Sequence, residues 1–299
     1  MDHLGGADTL LHLGDSESYD PEPDEGDPKI FVDEIWTSPY AIEPAYETEQ
    51  SKAMLKEIRR RDKLRGTPEG ESDGNRLKVL TSDGDETEGW VGNSLHWTLL
   101  APTEEEANIE QPDEEEEKVS ANNSSLVILW RVEVEEGEGY FLLGGDAVVE
   151  VWERIKADHD ADLTELGWHV LLAPHHCSRG VLNRKVEEEY KPSDDAREAL
   201  SQVRGDGFIV SSSKEILDDD DNPPSYEAKQ QYLEILKEAK ASNHEARFLN
   251  PDTHKDGDPA PVIFEITKNG PQCKVADKVK KSVAALGMGA ANPGSYGAR

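Results

Sequence analysis

The chain has 299 residues, only 35% of them hydrophobic, and its 64 acidic residues outnumber 32 Lys and Arg for a formal net charge of −32. That length allows one large domain or two modest ones with a sizeable core, whereas that charge repels polyanions and disfavours direct nucleic-acid binding unless metal ions or a basic partner intervene. No apolar run approaches the roughly 20 residues that span a bilayer, the start lacks the basic and apolar regions of a signal peptide, and two cysteines, Cys177 and Cys273, make no disulfide framework, so a reducing cytoplasm is the expected location.

Acid-rich stretches near 15–28, 69–73, 103–121 and 218–221 read as solvated insertions in one domain over 1–275, followed by a small-residue, Gly-rich flexible tail over 276–299. Between them the pattern predicts ordinary elements. Residues 47–63 form a helix on the spacing of Ala53, Met54, Leu55 and Ile58, with Arg59, Arg60 and Arg61 as a solvated basic end, and Gly66-Thr67-Pro68 stops it. Strands follow at 77–80 and 95–100, the second ending at the Ala101-Pro102 turn. The β-branched run 125–134, turn chemistry at 135–139 and apolar residues at 140–143 predict a hairpin that delivers Asp146 at its end. A helix at 148–155 and a buried strand at 169–172 follow, the strand delivering His175 and His176. The rest alternates: helix 194–203, strand 207–210 running into Ser211-Ser212-Ser213, helix 225–239 with Tyr226, Leu233 and Leu236 towards the core, and a last strand at 261–266. Strands and helices in this order predict an α/β or α+β layered domain with polar groups at strand ends.

Three short stretches carry chemistry: Asp2-His3-Leu4-Gly5-Gly6, Leu143-Gly144-Gly145-Asp146-Ala147 and Pro174-His175-His176-Cys177-Ser178-Arg179. Carboxylate and imidazole donors suit zinc or manganese. Each stretch has a plainer reading. A polar, Gly-rich start is common, Asp146 is well suited to cap the following helix, and one histidine of the pair is accounted for by a loop hydrogen bond. Cys177 reads as a small buried thiol. His12, His96, His159, His169, His244 and His254 have no ligand spacing, His254 lying in the polar run Asp252-Thr253-His254-Lys255-Asp256-Gly257, and Asp218–Asp221 lacks the alternation of a calcium loop.

Taken together, four stretches resemble the metallo-β-lactamase superfamily, in the branch typified by the soluble domain of the ComEC DNA-uptake protein. That branch has Leu-x-Pro, then Asn-x-x-Ser-Leu-Val, Phe-Leu-Leu-x-Gly-Asp-Ala and Pro-His-His-Gly-Ser-Arg. This chain has Leu100-Ala101-Pro102, Asn122-Asn123-Ser124-Ser125-Leu126-Val127, Phe141-Leu142-Leu143-Gly144-Gly145-Asp146-Ala147 and the run from Pro174 to Arg179, in the same order, with Cys177 where the branch has Gly. The likeness extends over about 2–266 and is weakest between 15 and 75.

The resemblance implies an αββα sandwich lacking its N-terminal strands, because the opening His-x-His-x-Asp-His motif would begin upstream, with Met1 at its second x; an N-terminally truncated chain is the corresponding expectation. It further implies that Asp2, His3, Asp146 and His175 bind metal, Asp146 bridging two ions in two-metal members, that Asp2 also receives a proton, that His176 acts as proton donor and that Ser178 supports the loop. Zinc is the expected cofactor, manganese or iron the alternatives, as one or two divalent ions. The implied activity is hydrolysis of an ester or phosphodiester, impaired where the first-metal ligands are missing, on a small-molecule or phosphodiester substrate. The reading from the other class is a non-catalytic or single-metal relative whose acidic insertions serve as a protein-interaction module with an unidentified partner.

Overall fold

Apolar side chains alternating along consecutive strands build a two-faced sheet in the computed structural model, which describes residues 32–42, 52–108, 121–187, 189–254 and 259–274. In chain order the strands are β1 (Glu34–Thr37), β2 (Arg76–Val79), β3 (Glu88–Val91), β4 (Leu95–Ala101), β5 (Val127–Val134), β6 (Gly137–Leu143) and β7 (Trp168–Leu172). They continue as β8 (Asn183–Val186), β9 (Glu189–Pro192), β10 (Val203–Val210), β11 (Phe248–Leu249), β12 (Ile263–Thr267) and β13 (Gly270–Lys274). The principal helices are α1 (Lys52–Leu64), α2 (Glu104–Ala107), α3 (Val149–Asp158), α4 (Asp194–Leu200) and α5 (Tyr226–Glu238).

Seven strands form one mixed sheet in the order β11-β10-β7-β6-β5-β4-β3. From β11 to β6 the neighbours run parallel; from β6 to β3 they run antiparallel. The remaining strands pair as β1-β2, β8-β9 and β12-β13. Because side chains alternate along a strand, Val127, Leu129, Leu142 and Ile209 face one way, into a core completed by Trp152 and Ile155 of α3, Leu200 of α4 and Tyr232 and Leu236 of α5. Their neighbours face the other way. Trp97, Leu99 and Ile128 meet Trp36 of β1, while Val170, Phe208 and Val210 meet Phe264 of β12. The molecule is thus a mixed α/β fold with a helical layer on one face and the β1-β2 and β12-β13 pairs on the other. Among the described residues, no helix is long and apolar enough to cross a membrane.

Local departures from expectation have physical causes. Helix 194–203 ends at Leu200, and Val203 already belongs to β10, where it pairs with Trp168. In α5 the buried stripe is Ala228, Tyr232, Ile235 and Leu236; Leu233 lies to its side. β6 begins at Gly137, so the expected turn over 135–139 is shorter, with Glu138 and Gly139 in the ladder. β1, β3, β8 and β9 were not expected, since their polar residues hide the alternation. The segments 15–28 and 276–299, and most of 103–121, lie outside the described residues. Where described, the acidic stretches are engaged: Thr103 and Glu106 form a capping box at α2, Glu106 pairs with Arg154, and Asp221 pairs with Lys214.

The largest correction concerns Arg61. Instead of a solvated helix end, its guanidinium is fully buried, with Nε donating to Glu57 Oε1 at 2.6 Å. Its other nitrogens donate to the carbonyl oxygens of Val32 at 3.0 Å and Arg76 at 3.1 Å. Arg60 grips the same Glu57, and also Asn75 and the Gly74 carbonyl. The basic triplet is therefore a strut between α1 and the backbone around β1 and β2. Burying such a charge is tolerable only because carboxylate and carbonyl oxygens surround it.

Candidate metal centre

Parallel strands β6, β7, β10 and β11 end at the same edge of the sheet, so the loops that follow them converge there. This is the edge at which open α/β sheets gather polar groups. After β6 come Gly144, Gly145 and Asp146. A Cβ on Gly144 would lie 2.7 Å from both Pro174 Cγ and Trp152 Cζ2, so only glycine lets the two loops approach this closely. Gly145 takes a φ of +52° and turns the chain. The Asp146 N–H donates to Ser125 Oγ at 3.2 Å, and the Gly145 carbonyl accepts from the His175 N–H at 2.8 Å. Residues far apart in sequence are thereby locked around one carboxylate.

Asp146 is not a helix cap. The cap position of α3 is Val148, which has no side-chain cap bond. With that duty excluded, the environment of Asp146 is informative: its Oδ1 and His175 Nδ1 are buried polar atoms with no hydrogen-bond partner. Buried polar atoms without partners are rare enough to need an explanation, a bound ion being one.

The turn after β7, Pro174–Cys177, carries three successive left-handed residues: His175 at φ 47°, His176 at 52° and Cys177 at 65°. Each such non-glycine residue costs roughly 1–2 kcal/mol, and runs of this kind persist only where surroundings hold them. Here the His175 carbonyl accepts from the Ser178 N–H at 2.9 Å and the Cys177 carbonyl accepts from the Ser225 N–H at 2.9 Å. Ser178 Oγ donates to Asn222 Oδ1 at 3.2 Å and accepts from the Gly180 N–H, so Ser178 does brace this loop. Cys177 sits in the left-handed geometry that a glycine would adopt without strain. Its side chain is fully buried, with the thiol pushed up to about 12 by desolvation, so it behaves as packing.

The two histidines differ. His176 Nδ1 lies 2.8 Å from the Ser212 carbonyl, which can only accept, so Nδ1 carries the proton and Nε2 is left towards Asp146, 3.6 Å from its Oδ1. Burial lowers the pKa of His175; Asp146 opposes this and His176 adds to it. The lowered pKa favours the neutral imidazole, the form that ligates metals. Carboxylate and neutral imidazole thus fit a divalent ion as two of its donors. Among the described residues no group of three or more His, Cys, Asp and Glu assembles to hold an ion. Asp2 and His3, expected to supply further donors, lie outside the described residues.

Residues not singled out from sequence also reach the site. Ser212 lies in the loop after β10, and it and His176 line both of two adjoining clefts. Asp252, after β11, lines the larger cleft and accepts from the Glu215 N–H at 3.0 Å, whereas His254 lines a separate small cleft with Lys229 and Phe248. The run of serines at a strand end was the signal that could have found Ser212. Other histidines have structural partners: His169 Nδ1 accepts from the Tyr140 N–H, and His159 Nδ1 bonds the Ile155 carbonyl. Comparisons with protein-family models, with curated proteins and with solved structures find no match to this chain.

Proposed function

We propose that the chain is a metal-dependent hydrolase of the metallo-β-lactamase fold, acting on an ester or phosphodiester. The observation that carries this reading is the pair of buried donor atoms on Asp146 and His175 that make no hydrogen bond, beside an oriented His176. The motifs behind the resemblance lend support, because distant ones touch: Ser125 bonds Asp146, and His175 bonds Gly145. A helical layer over a mixed sheet, with strand pairs on the opposite face, is compatible with an αββα sandwich.

Asp146 and His175 would hold the ion, zinc first and manganese or iron as alternatives, with Asp2 and His3 as further ligands. Such an ion supplies Lewis acidity and an acidified water. In the reaction, His176 Nε2 would take a proton from the water as it adds to the carbonyl or phosphoryl centre, and would pass that proton to the departing oxygen as the ester C–O or P–O bond breaks. Ser212 keeps that histidine in the required tautomer. The test is zinc and manganese content by elemental analysis, with turnover of a generic phosphodiester and a generic carboxylic ester. Metal uptake and hydrolysis that both disappear in Asp146→Ala and His175→Ala are expected; metal-independent turnover, or uptake unaffected by both substitutions, overturns the assignment. The second reading, a non-catalytic acidic interaction module, is favoured by the absence of a three-donor group among the described residues, and would be left standing if no metal bound.

A further inference from the structure

Two clefts meet at His176 and Ser212, one of about 780 Å³ bounded by Pro223, Pro251 and Asp252, the other of about 570 Å³ bounded by Trp36, Trp130 and Leu143. The second has a chemistry of its own. Trp36 and Trp130 stack with ring centroids 5.5 Å apart and planes 23° apart. Behind them Trp97, 1% exposed, meets Trp36 edge-on at 4.9 Å, and the Lys78 ammonium lies 5.3 Å from the Trp36 ring centroid. The Trp36 indole N–H donates to Glu34, which also pairs with Arg76 at 3.3 Å. Held by these contacts, the indoles form a fixed wall, and neither Trp36 nor Trp130 is fully buried.

Apolar surface then runs from that wall to the site. Leu143, 36% exposed, ends β6 three residues before Asp146, and Gly145 lines the same cleft. Among the described lining residues, Glu34 is the charged side chain and there is no Lys or Arg. Lys78 beside Trp36 already pairs with Glu86, so the lining itself gives an anionic ring substituent no cation, whereas a neutral ring could lie against the indoles. A nucleic-acid strand would bring its phosphates into the field of a chain of net charge −32. The geometry points to a small ester or phosphodiester bearing a neutral aromatic substituent, which stacks in the Trp36–Trp130 cleft while its hydrolysable bond lies at Asp146 and His176. This substrate class rests on the hydrolase reading; the aromatic cleft itself does not.

Two measurements separate the failures. Hydrolysis of a naphthyl ester or methyl naphthyl phosphodiester is compared with its all-alkyl counterpart in the wild type, Trp130→Ala and the apolar but non-aromatic Trp130→Leu. The aryl-to-alkyl ratio of kcat/KM should fall about tenfold or more in both variants; an unchanged ratio in a folded variant overturns the inference. Independently, 2-naphthol is titrated into the wild-type chain while the indole N–H resonances of Trp36 and Trp130 are followed by NMR. Saturable shifts are expected even if no substrate is turned over, in which case the hydrolase reading fails and the aromatic site survives. No shift up to about 1 mM, a weak fragment's affinity, overturns the site, and displacement of 2-naphthol by an oligothymidylate but not by naphthyl esters overturns the small-substrate class.

Discussion

At the residue scale, His175 and His176 are adjacent in sequence but divided in task by one hydrogen bond. The Ser212 carbonyl takes His176 Nδ1 and leaves Nε2 towards Asp146, while His175 presents a buried Nδ1 without a partner. Their ring centroids lie 6.5 Å apart with planes at 65°. If His176 delivers the proton and does not hold the ion, His176→Gln should lower kcat by about 10²–10⁴-fold while metal content stays at the wild-type level. Steady-state kinetics paired with elemental analysis reads both quantities. Loss of metal in this variant would make His176 a ligand and would remove the distinction. The strained backbone under both rings bears on the same point, since three consecutive left-handed residues set how the two imidazoles leave the chain.

At the element scale, Arg61 ties α1 to β2 and to the segment before β1. Removing the guanidinium leaves Glu57, itself 6% exposed, to Arg60 alone, and takes a donor from carbonyls of β2 and of the segment before β1. Breaking a buried pair in this way costs about 3–5 kcal/mol, so Arg61→Ala should lower the urea midpoint markedly, whereas the exposed Arg65→Ala should move it little; equal effects would return Arg61 to the surface role its sequence suggested. A second element-level device lies at the start of β7. His169 is half-buried and lowered below its ordinary 6.5, first by desolvation and then by Arg204, with Glu138 opposing. The folded chain therefore keeps His169 neutral where the unfolded chain protonates it, so this contribution to stability is complete above about pH 6.5 and is lost as pH falls below that value. Urea midpoints at about pH 7.5 and about pH 5.5 should differ less in His169→Gln than in wild type; an equal difference would place the titrating groups elsewhere. These cases mark what was legible. Strands β4 to β7 and β10 could be read because apolar residues alternate or run together, and their ends predicted Asp146, His175 and His176 in one place. Arg61 could not, since burial of a cation depends on carbonyls supplied by segments around residues 32 and 76. Trp36 and Trp130 could not either, because stacking of residues so far apart follows from strand order and not from local pattern.

At the scale of the whole molecule, charge sets a condition under which every local argument operates. Even with each Lys and Arg paired one to one, 32 carboxylates would remain without a cationic partner. Two salt effects then compete. Screening weakens surface pairs such as Lys156–Asp160 and Arg197–Glu238, each worth about 0–1 kcal/mol. It also relieves the mutual repulsion of the excess acids, which acts over distances comparable with the Debye length of about 30 Å at 0.01 M salt and about 10 Å at 0.1 M. Close pairs are the less affected of the two, because their charges are nearer than either screening length, whereas the diffuse repulsion is largely removed. Relief should win. Raising sodium chloride from about 0.01 M to about 0.1 M should therefore raise Tm, by about 2–4 °C for each kcal/mol relieved, with sodium perchlorate and sodium chloride giving similar gains if screening is the cause. A fall in Tm would mean that the acidic side chains are held mainly in attractive contacts, and the insertions would then be parts of the folded structure's ion-pair network rather than a solvated, repelling surface.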